Sequence, residues 1–503
     1  MKDLIDIDQS TASDLVREIQ DDLQKIGLYD GQVDGIFGKY TEAALLQFSN
    51  VVSLDSNLDS QSQEVKNKLL SLPEVVGELL QINGQGDRLF QKFWNEQQLL
   101  VNMGQVSDAH LGFLDRGAKG TPTGTVHDLP NRSFAPSPFF AQANQFTQRL
   151  GQQPDGIHVI THKEVEILAG SSVRVRFRPF PNVGALPQIE EVGLEFLHPD
   201  ITEACVVTGT IIKGQLLTRW MGRNALRNAQ FWSTTKIIPL LYTIAAANRK
   251  SPRLPINQCW ITDKARTVAY NFGDLASRIC TYEETNGMTS NGLSAMFKQF
   301  TTPQNLEGWL KSITGNQKLV FQGRYGEAPF LPLPYLMGGP EHSLVLESST
   351  QPHRGENLIS AYDLTRVVTQ MAWHRHLTPS QRVPGAQWHS LATLVEAMSL
   401  DTARYFDAAF SALGLERFIS QPVILSKMGF GYSDQRKRTE LTYTAYVQFV
   451  DHLQPIPKWR SVCISLRAFK DLKQPKREAL EIDARMAAEV TKILRHLVTE
   501  ELI

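Results

Sequence analysis

Hydrophobic spacing near the N-terminus predicts a small helical unit. Between residues 13 and 50, apolar side chains recur at three- and four-residue intervals, which is typical of an amphipathic helix. They are Leu15, Val16, Ile19, Leu23 and Ile26. Ser13 can cap this helix and Gly27 ends it. A loop rich in Gly and Asp, LYDGQVDGIFGKY, follows, and a second helix, TEAALLQF, begins at Thr41.

The next part of the chain changes from helical to strand-like spacing. Residues 60–103 have helical periodicity, and residues 104–136 are rich in Gly, Pro, Ser and Thr, which indicates a loop or linker. Residues 137–150 fit one further helix. HVITHKEVEIL and SSVRVRFRPF then alternate apolar and polar positions on either side of an Ala-Gly pair. This alternation predicts a β-hairpin.

From about residue 190, strands at both ends enclose a helical middle. EACVVTGTI and QLLTRW are strand-like runs joined at a Lys-Gly turn, and FWSTTKIIPLLYTIAAA reads as a helix. Further helices continue to about residue 415. TELTYTAYVQFV and RSVCISLRAF predict two more strands before a terminal amphipathic helix. This order predicts an α+β fold in which one antiparallel sheet is covered by helices. The domain boundaries we predict are 11–55, 60–185 and 190–503.

Composition narrows the class of protein. The chain has 503 residues, 42% of them hydrophobic and 20% charged, which is typical of a globular protein of about three domains. A formal net charge of −1 gives no reason to expect a nucleic-acid partner. No apolar run is long enough to predict a transmembrane helix. The first residues, MKDLIDIDQSTASDL, lack the apolar core of a secretory signal, which favours the cytoplasm on that ground alone.

Cysteines and histidines give no support for a metal or cofactor. Cys205, Cys259, Cys280 and Cys463 are widely spaced, and we interpret them as small buried hydrophobic residues. His374 and His376 in MAWHRHLT have no carboxylate at metal-ligand spacing, so we expect them at the surface. The basic turn DQRKRTE at 434–440 is expected to be a solvated hairpin tip. We therefore predict no cofactor and no metal.

The stretch FWSTTK offers candidate chemistry with two interpretations. Ser233 could cap the helix that follows, since serine is a favoured N-cap residue. Alternatively, Ser233 could be a nucleophile, because residues three apart on a helix face the same way and Lys236 would lie beside it. A desolvated lysine has a lowered pKa and can accept a serine proton. First-turn N–H groups could then stabilise an oxyanion.

The N-terminal unit resembles the peptidoglycan-binding domain type 1, a small three-helix module, over about 40 residues. The matching positions are Gln20, Leu23, Lys25 to Tyr29, Val33 to Gly38, Thr41 to Ala44 and Phe48. The resemblance implies peptidoglycan as a binding partner. Asp34 and Gly35 are expected to form a tight turn, and the motif residues are expected to be mainly structural.

The remainder resembles the serine β-lactamase and penicillin-binding protein superfamily, closest to class A. Ser233-x-x-Lys236 is followed by Thr289-Ser290-Asn291, similar to the family's Ser-x-Asn, and by Lys427-Met428-Gly429, similar to Lys-Thr-Gly. The stretch 360–364, SAYDL, matches a family helix start between the last two motifs. The sequence departs from the family at Thr289 and at Met428, which lacks the hydroxyl that helps to bind a substrate carboxylate.

The resemblance implies a role for each motif residue. Ser233 would attack an amide or lactam carbonyl, and Lys236 would take or relay its proton. Asn291 would bind Lys236 and the substrate, and Thr289 would pass a proton to the leaving nitrogen. Lys427 would attract a substrate carboxylate beside Met428 and Gly429. The N–H groups of Ser233 and Phe430 would form the oxyanion hole. A helix cap at Asn291 and a solvated strand-end lysine at 427 are the alternatives.

Class A enzymes also use a glutamate that activates the deacylating water. It is expected shortly before the SAYDL helix, where Glu341, Glu347 and Glu356 are available. None has the family's Glu-x-x-Leu-Asn pattern, and Glu347 has the most suitable spacing.

Three functions remain open from the sequence. The first is a serine acyl-enzyme hydrolase acting on peptidoglycan-derived peptides, β-lactams or related amides. The second is a non-catalytic peptidoglycan-binding protein, and the third is a serine-dependent small-amide hydrolase similar to glutaminases. The natural substrate, the cell envelope or cytoplasm as compartment, and the oligomeric state stay undetermined.

Overall fold

The fold is taken from a computed structural model. It describes residues 88–102, 139–151, 166–167, 174–175, 177–212, 214–284, 287–339, 342–453 and 458–502, together with scattered positions between 16 and 44. The predicted linker at 104–136 and most of the N-terminal unit lie outside these residues.

Helices occupy much of the middle and both flanks of the described chain. They are α1 (Arg88–Asn102), α2 (Phe146–Arg149), α3 (Ile237–Lys250), α4 (Phe272–Thr281), α5 (Ser290–Lys298), α6 (Pro303–Thr314), α7 (Ala361–Ala372), α8 (Trp388–Ser399), α9 (Tyr405–Ala412) and α10 (Pro475–Val498). Short 3-10 segments are Phe140–Gln145, Trp232–Lys236, Ile256–Gln258, His374–His376 and Leu415–Arg417.

Strands form one large sheet and several small ones. They are β1 (Glu166–Ile167), β2 (Arg174–Val175), β3 (Arg178–Pro179), β4 (Ile189–Glu190), β5 (Ile201–Ile212), β6 (Gln215–Arg223), β7 (Ala229–Gln230), β8 (Cys259–Thr262), β9 (Ala269–Asn271), β10 (Val320–Phe321), β11 (Tyr335–Gly338), β12 (Ser343–Glu347), β13 (Asn357–Ile359), β14 (Ile419–Ser433), β15 (Arg438–Asp451) and β16 (Lys458–Lys470).

The large sheet joins strands from both ends of the sheet-forming region. Its order is β14-β15-β16-β5-β6-β3, with β4 parallel to β6 and the long neighbours antiparallel. β14 is therefore an edge strand. Smaller sheets have the orders β12-β11-β8-β9 and β10-β13-β7. The predicted α+β class is confirmed, and the predicted hairpin appears as the antiparallel pair β1-β2.

Helices cover both faces of the large sheet. On one face, Thr444 Oγ1 and Thr365 Oγ1 both contact Ser465 Oγ, at 3.0 and 2.9 Å, which places α7 there. Thr439 and Thr444 are an odd number of positions apart on β15, so their side chains point to opposite faces. Thr439 donates to Glu478 of α10 at 2.6 Å. Side chains alternate between sheet faces, so α7 and α10 lie on opposite sides of β15.

Local sequence explains how several of these helices begin and pack. Helix α7 begins where the SAYDL resemblance predicts a helix start, and Ser360 and Asp363 form a reciprocal capping box there. The Asp363 carboxylate also accepts from Asn316 at 2.7 Å. Helix α1 packs on α10, and Gln97 donates to Asp483 across that contact. A helix from the predicted connecting region thus supports the large sheet's terminal helix.

The scattered N-terminal positions include a buried polar hub. Gln20 is fully buried, and its Nε2 lies 2.9 Å from Asp34 Oδ1 and 3.1 Å from Thr41 Oγ1. Its Oε1 accepts from the N–H of Gly35 at 2.8 Å. Gly35 has a φ of 75°, which favours glycine in the predicted turn. Gln20 therefore ties the first helix to the loop after it.

Burial confirms the expectation for the cysteines and corrects the one for His374. All four cysteines are free and buried, as predicted. His374 is 4% exposed rather than at the surface; it stacks on Trp388, and burial lowers its pKa to about 4.

None of the helices in the described residues is both long and apolar enough to cross a bilayer.

The basic hairpin tip is paired rather than simply solvated. Arg436 and Arg438 both donate to Glu440 Oε1, at 2.7 and 2.8 Å. Arg467 approaches the same oxygen at 2.9 Å, and Trp232 Nε1 donates to Oε2 at 3.0 Å. These donors offset burial and hold the pKa of Glu440 at about 2. The tip is thus tied to the FWSTTK segment.

Candidate active site

The FWSTTK segment packs closely against two glycines of β14. A Cβ on Gly429 would lie 2.6 Å from Ser233 N and 2.9 Å from Thr234 N. A Cβ on Gly431 would lie 2.4 Å from the Trp232 ring. Gly429 and Gly431 are two residues apart, so they lie on the same face of the sheet. The backbone of Ser233 therefore lies directly against the edge strand.

Ser233 is not a helix cap in this structure. The segment Trp232–Lys236 is a 3-10 turn that leads into α3, and neither element has a side-chain N-cap hydrogen bond. Trp232, directly before Ser233, has a φ of 45°, which is strained for a bulky residue. Strain of this kind persists where surrounding contacts impose it, often at functional sites. Ser233 itself is half-buried.

Lys236 is a buried amine beside the second motif. It is 2% exposed, and its Nζ donates to Ser290 Oγ at 3.0 Å. Ser290 Oγ in turn donates to Ile279 O at 3.1 Å. Burial, with the nearby charge of Lys427, holds the pKa of Lys236 well below its usual range. Lys236 therefore has the desolvated amine that the nucleophile interpretation of Ser233 requires.

The side chains of the second motif, Thr289-Ser290-Asn291, contact two different partners. Thr289 caps α5 by accepting from Gly292 N at 2.9 Å, and its hydroxyl also donates to Glu327. Asn291 Nδ2 donates to Glu327 Oε1 at 2.7 Å. The predicted bond from Asn291 to Lys236 is thus replaced by the bond from Lys236 to Ser290. The predicted caps are also reassigned, because Thr289 rather than Asn291 caps the helix.

Glu327 lies on a loop that is anchored at its base. The loop joins β10 to β11, and Gly323 near its start is bonded through O to Lys298 Nζ at 2.6 Å. The same Nζ donates to Asn357 Oδ1 at 2.9 Å, on the returning strand β13. Tyr325 OH donates to Thr235 O at 3.1 Å. These bonds fix the loop against both α5 and the FWSTTK segment.

Glu327, rather than the predicted Glu347, is the carboxylate that contacts the second motif. Glu347 is exposed on β12, where its described partner is Tyr335 OH at 3.4 Å. Glu341 lies outside the described residues, and Glu356 is exposed. Glu327 lies outside the stretch just before the SAYDL helix, where the family resemblance places this glutamate. A signal existed, since Glu327 is the only acidic residue between Glu307 and Glu341.

Lys427 is enclosed rather than solvated. It is fully buried, and its Nζ donates to Tyr282 OH and, at 3.2 Å, to Met428 O. Burial lowers the pKa of Lys427, while the charge of Asp401 opposes that shift. The alternative of a strand-end lysine in solvent is therefore wrong.

Met428 does not offer its side chain to the Ser233 side of the sheet. It is 3% exposed, and its direct cross-strand partner is Tyr443. Tyr443 packs edge-on against Tyr405 of α9, at 4.8 Å between ring centroids. Directly paired residues share a face. The predicted contact between residue 428 and a substrate is thus not formed by this conformation.

The backbone of β14 can supply an oxyanion donor at Phe430. Tyr282 OH and Lys427 Nζ both donate to Met428 O, so the polar groups of Met428 face away from β15. Backbone direction repeats every two residues along a strand, so the N–H of Phe430 faces the same open edge. Ser233 N lies against the intervening Gly429. The geometry is compatible with the predicted pair of donors.

A separate surface groove lies at the opposite edge of the large sheet. Its lining includes Leu194, Arg223 and Leu226, beside β4 and β6. No predicted site residue lines this groove.

Comparison with known proteins supports the resemblance of the N-terminal unit. Residues 12–50 match the family described as "Putative peptidoglycan binding domain", which confirms the N-terminal prediction. No curated protein matches the chain. Solved structures with some similarity to the chain include β-lactamases from Xanthomonas campestris pv. campestris and Desulfarculus baarsii. The first is 14% identical with a TM-score of 0.32, covering 59% of this chain and 91% of the other. The second is 12% identical with a TM-score of 0.35, covering 59% and 93%. Similarity at this level carries no inference about chemistry, which has to come from this chain's own residues.

Proposed function

We propose that the protein is a serine acyl-enzyme hydrolase that cleaves amide or lactam bonds, including those of peptidoglycan-derived peptides. The observation that carries this proposal is the convergence of three distant motifs. Lys236 contacts Ser290 at 3.0 Å, and Gly429 lies against the N–H of Ser233. These residues are about 50 to 200 positions apart in the chain, so helix or strand periodicity does not bring them together.

Acylation follows from the state of Lys236. With its pKa lowered by burial, the neutral amine accepts the hydroxyl proton of Ser233 as Oγ attacks the carbonyl carbon. Negative charge that develops on the carbonyl oxygen is stabilised by the N–H groups of Ser233 and Phe430, each worth about 3 kcal/mol. The C–N bond then breaks. Lys236 returns the proton to the leaving nitrogen, and the acyl group stays on Ser233.

Deacylation needs a base for water, and Glu327 is the candidate. Its carboxylate is oriented by the Thr289 hydroxyl and the Asn291 amide, and its charge acts on Lys236. A water between Glu327 and the acyl-enzyme would give a proton to the carboxylate while its oxygen attacks the ester carbonyl. Ser233 leaves with a proton, and the free acid departs.

The N-terminal domain supports the choice of polymer. Residues 12–50 match a peptidoglycan-binding family, and binding there would raise the local concentration of stem peptides near Ser233. Peptidoglycan-derived peptides are therefore the substrate class that we favour.

The direct test is covalent labelling. Wild-type protein is incubated with a panel of acyl donors that includes uncharged activated esters and β-lactams, and intact mass is recorded. We expect an adduct of one acyl group that disappears in Ser233→Ala. Ser312→Ala, which changes an exposed serine on α6, should label like wild type. An adduct that survives in Ser233→Ala would reject the assignment.

Glu327→Gln is expected to trap the acyl-enzyme. Glutamine keeps the shape of the side chain but accepts protons poorly, so deacylation should fall by about 100-fold or more while acylation changes little. The measurement is the persistence of the adduct in a chase by intact mass. Glu347→Gln is the matched control and should deacylate like wild type. Equal deacylation rates in Glu327→Gln and wild type would contradict the role of Glu327.

A second candidate, binding without catalysis, is favoured by one contact. The amine of Lys236 donates to Ser290, and the described contacts include no bond between that amine and Ser233 Oγ. Failure of every acyl donor to label folded wild-type protein would favour this candidate over the hydrolase.

A further inference from the structure

Tyr282 covers the only buried lysine amine on the edge strand β14. The centroid of its ring lies 3.6 Å from Lys427 Nζ, and its hydroxyl accepts a hydrogen bond from that amine. The same hydroxyl donates to Met428 O. One side of the amine is thus covered by the Tyr282 side chain, and Lys427 is left with no exposed surface.

Tyr282 is held in this place by an uncommon backbone conformation. It directly follows α4 with a φ of 58° and a ψ of 20°, and its N–H donates to Arg278 O at 3.1 Å. Glycine is the usual residue where the backbone adopts the left-handed conformation just after an α-helix, because a Cβ is sterically unfavourable in that conformation. A tyrosine at this position therefore carries a conformational cost that its side-chain contacts must offset.

Two arginines near the same edge are also paired, while Lys437 at the hairpin tip is exposed to solvent. Arg436 and Arg438, from the hairpin between β14 and β15, both donate to Glu440. Met428 brings no hydroxyl and faces the opposite side of the sheet. A carboxylate on a substrate is bound most strongly by an accessible cation or by several hydrogen-bond donors. Lys427, Arg436 and Arg438 do not provide an accessible cation in this conformation.

We propose that Tyr282 is a specificity-determining residue that selects acyl donors without a carboxylate next to the scissile bond. This inference rests on the proposed function of Ser233. An anionic group entering beside β14 would have to displace the Tyr282 hydroxyl from Lys427 and break its bond to Met428 O. Uncharged esters, thioesters and amides avoid that cost. Lys427 then acts on the reaction through its charge, which lowers the pKa of Lys236.

The test uses pairs of acyl donors that differ only in this group. One pair is a β-lactam and its methyl ester, and another is an activated peptide ester ending in a carboxylate or in a carboxamide. Wild-type acylation, followed by intact mass, should be at least about tenfold faster with the uncharged member, as expected for one lost charge-assisted hydrogen bond.

Tyr282→Ala should then largely remove this selectivity. With the Lys427 amine uncovered, acylation by the carboxylate member should rise by about tenfold, while the uncharged member stays within about threefold of wild type. Tyr282→Phe removes only the hydroxyl. It should raise the ratio of carboxylate-member to uncharged-member acylation rates by a smaller factor. This variant keeps the test available if the alanine variant does not fold.

The outcomes separate this inference from the function on which it rests. The role of Tyr282 would be overturned if wild type were acylated as fast by the carboxylate member as by the uncharged member. It would also be overturned if the ratio of these two rates were unchanged in both variants. Either result would leave Ser233 as the nucleophile. Absence of labelling by either member would overturn the proposed function, and the inference with it.

Discussion

Lys236→Met is expected to abolish acylation while making the folded protein more stable. The amine is the proposed base, and loss of a general base costs about 100- to 10,000-fold in rate. The same amine is 2% exposed and sits near the charge of Lys427. Methionine fills a similar volume without a charge to desolvate, so a gain of about 1–3 kcal/mol in unfolding free energy is expected. Ser290 keeps its bond to Ile279 O in the variant.

Denaturant unfolding at several pH values checks this prediction. In wild type, burial lowers the pKa of Lys236 in the folded chain only, so the unfolded chain binds more protons between the folded and the ordinary lysine pKa. Wild-type stability therefore rises with pH across that window, and the variant lacks this contribution. Its advantage should be largest at low pH and shrink as pH rises. A variant that is inactive and less stable at every pH would contradict a base held neutral by burial.

Gly429→Ala is expected to disable the site through the backbone of Ser233. The new Cβ would lie 2.6 Å from both Ser233 N and Thr442 Oγ1. Neither atom can move away at low energetic cost, because Ser233 N is a backbone atom and Thr442 Oγ1 donates to Phe231 O at 2.9 Å. Overpacking of this kind costs about 1–3 kcal/mol in stability. A shift of about 1 Å in a reacting group can cost about 100-fold in rate.

Gly308→Ala is the matched control for this substitution. Gly308 lies within α6, and a Cβ there meets nothing within 4 Å. The control should keep wild-type acylation and gain about 0.5–1 kcal/mol, because alanine is the better helix former. Thermal unfolding and adduct formation measure both quantities. Wild-type acylation in folded Gly429→Ala would show that the close approach of β14 to Ser233 is not needed.

Much of the fold was predictable because the relevant signals are local. The change from three- and four-residue spacing to two-residue alternation located the hairpin and the strands that enclose the helices. The Ser360 capping box and the Ser233–Lys236 spacing depend on residues three apart, which a helix places side by side. Motif order along the chain then indicated which stretches should meet. These predictions needed no knowledge of how the elements pack.

The direction of each second-motif side chain could not be predicted locally. Thr289 and Asn291 are adjacent to Ser290, yet they face Glu327 while Ser290 faces Lys236. Residues one apart on a helix point about 100° away from each other, so a shift of one position at a helix start changes every partner. The start of α5 at Ser290, after the Thr289 cap, decides this direction.

The sequence by itself determined the α+β order of elements and the peptidoglycan-binding unit at residues 12–50. Only the tertiary structure placed Glu327, and not Glu347, beside the second motif, covered Lys427 with Tyr282 and turned Met428 away from Ser233. Spacing along a helix or strand fixes which residues share a face. The partners met by that face come from loops and helix ends tens of residues away, and their positions depend on how the whole sheet and its helices pack.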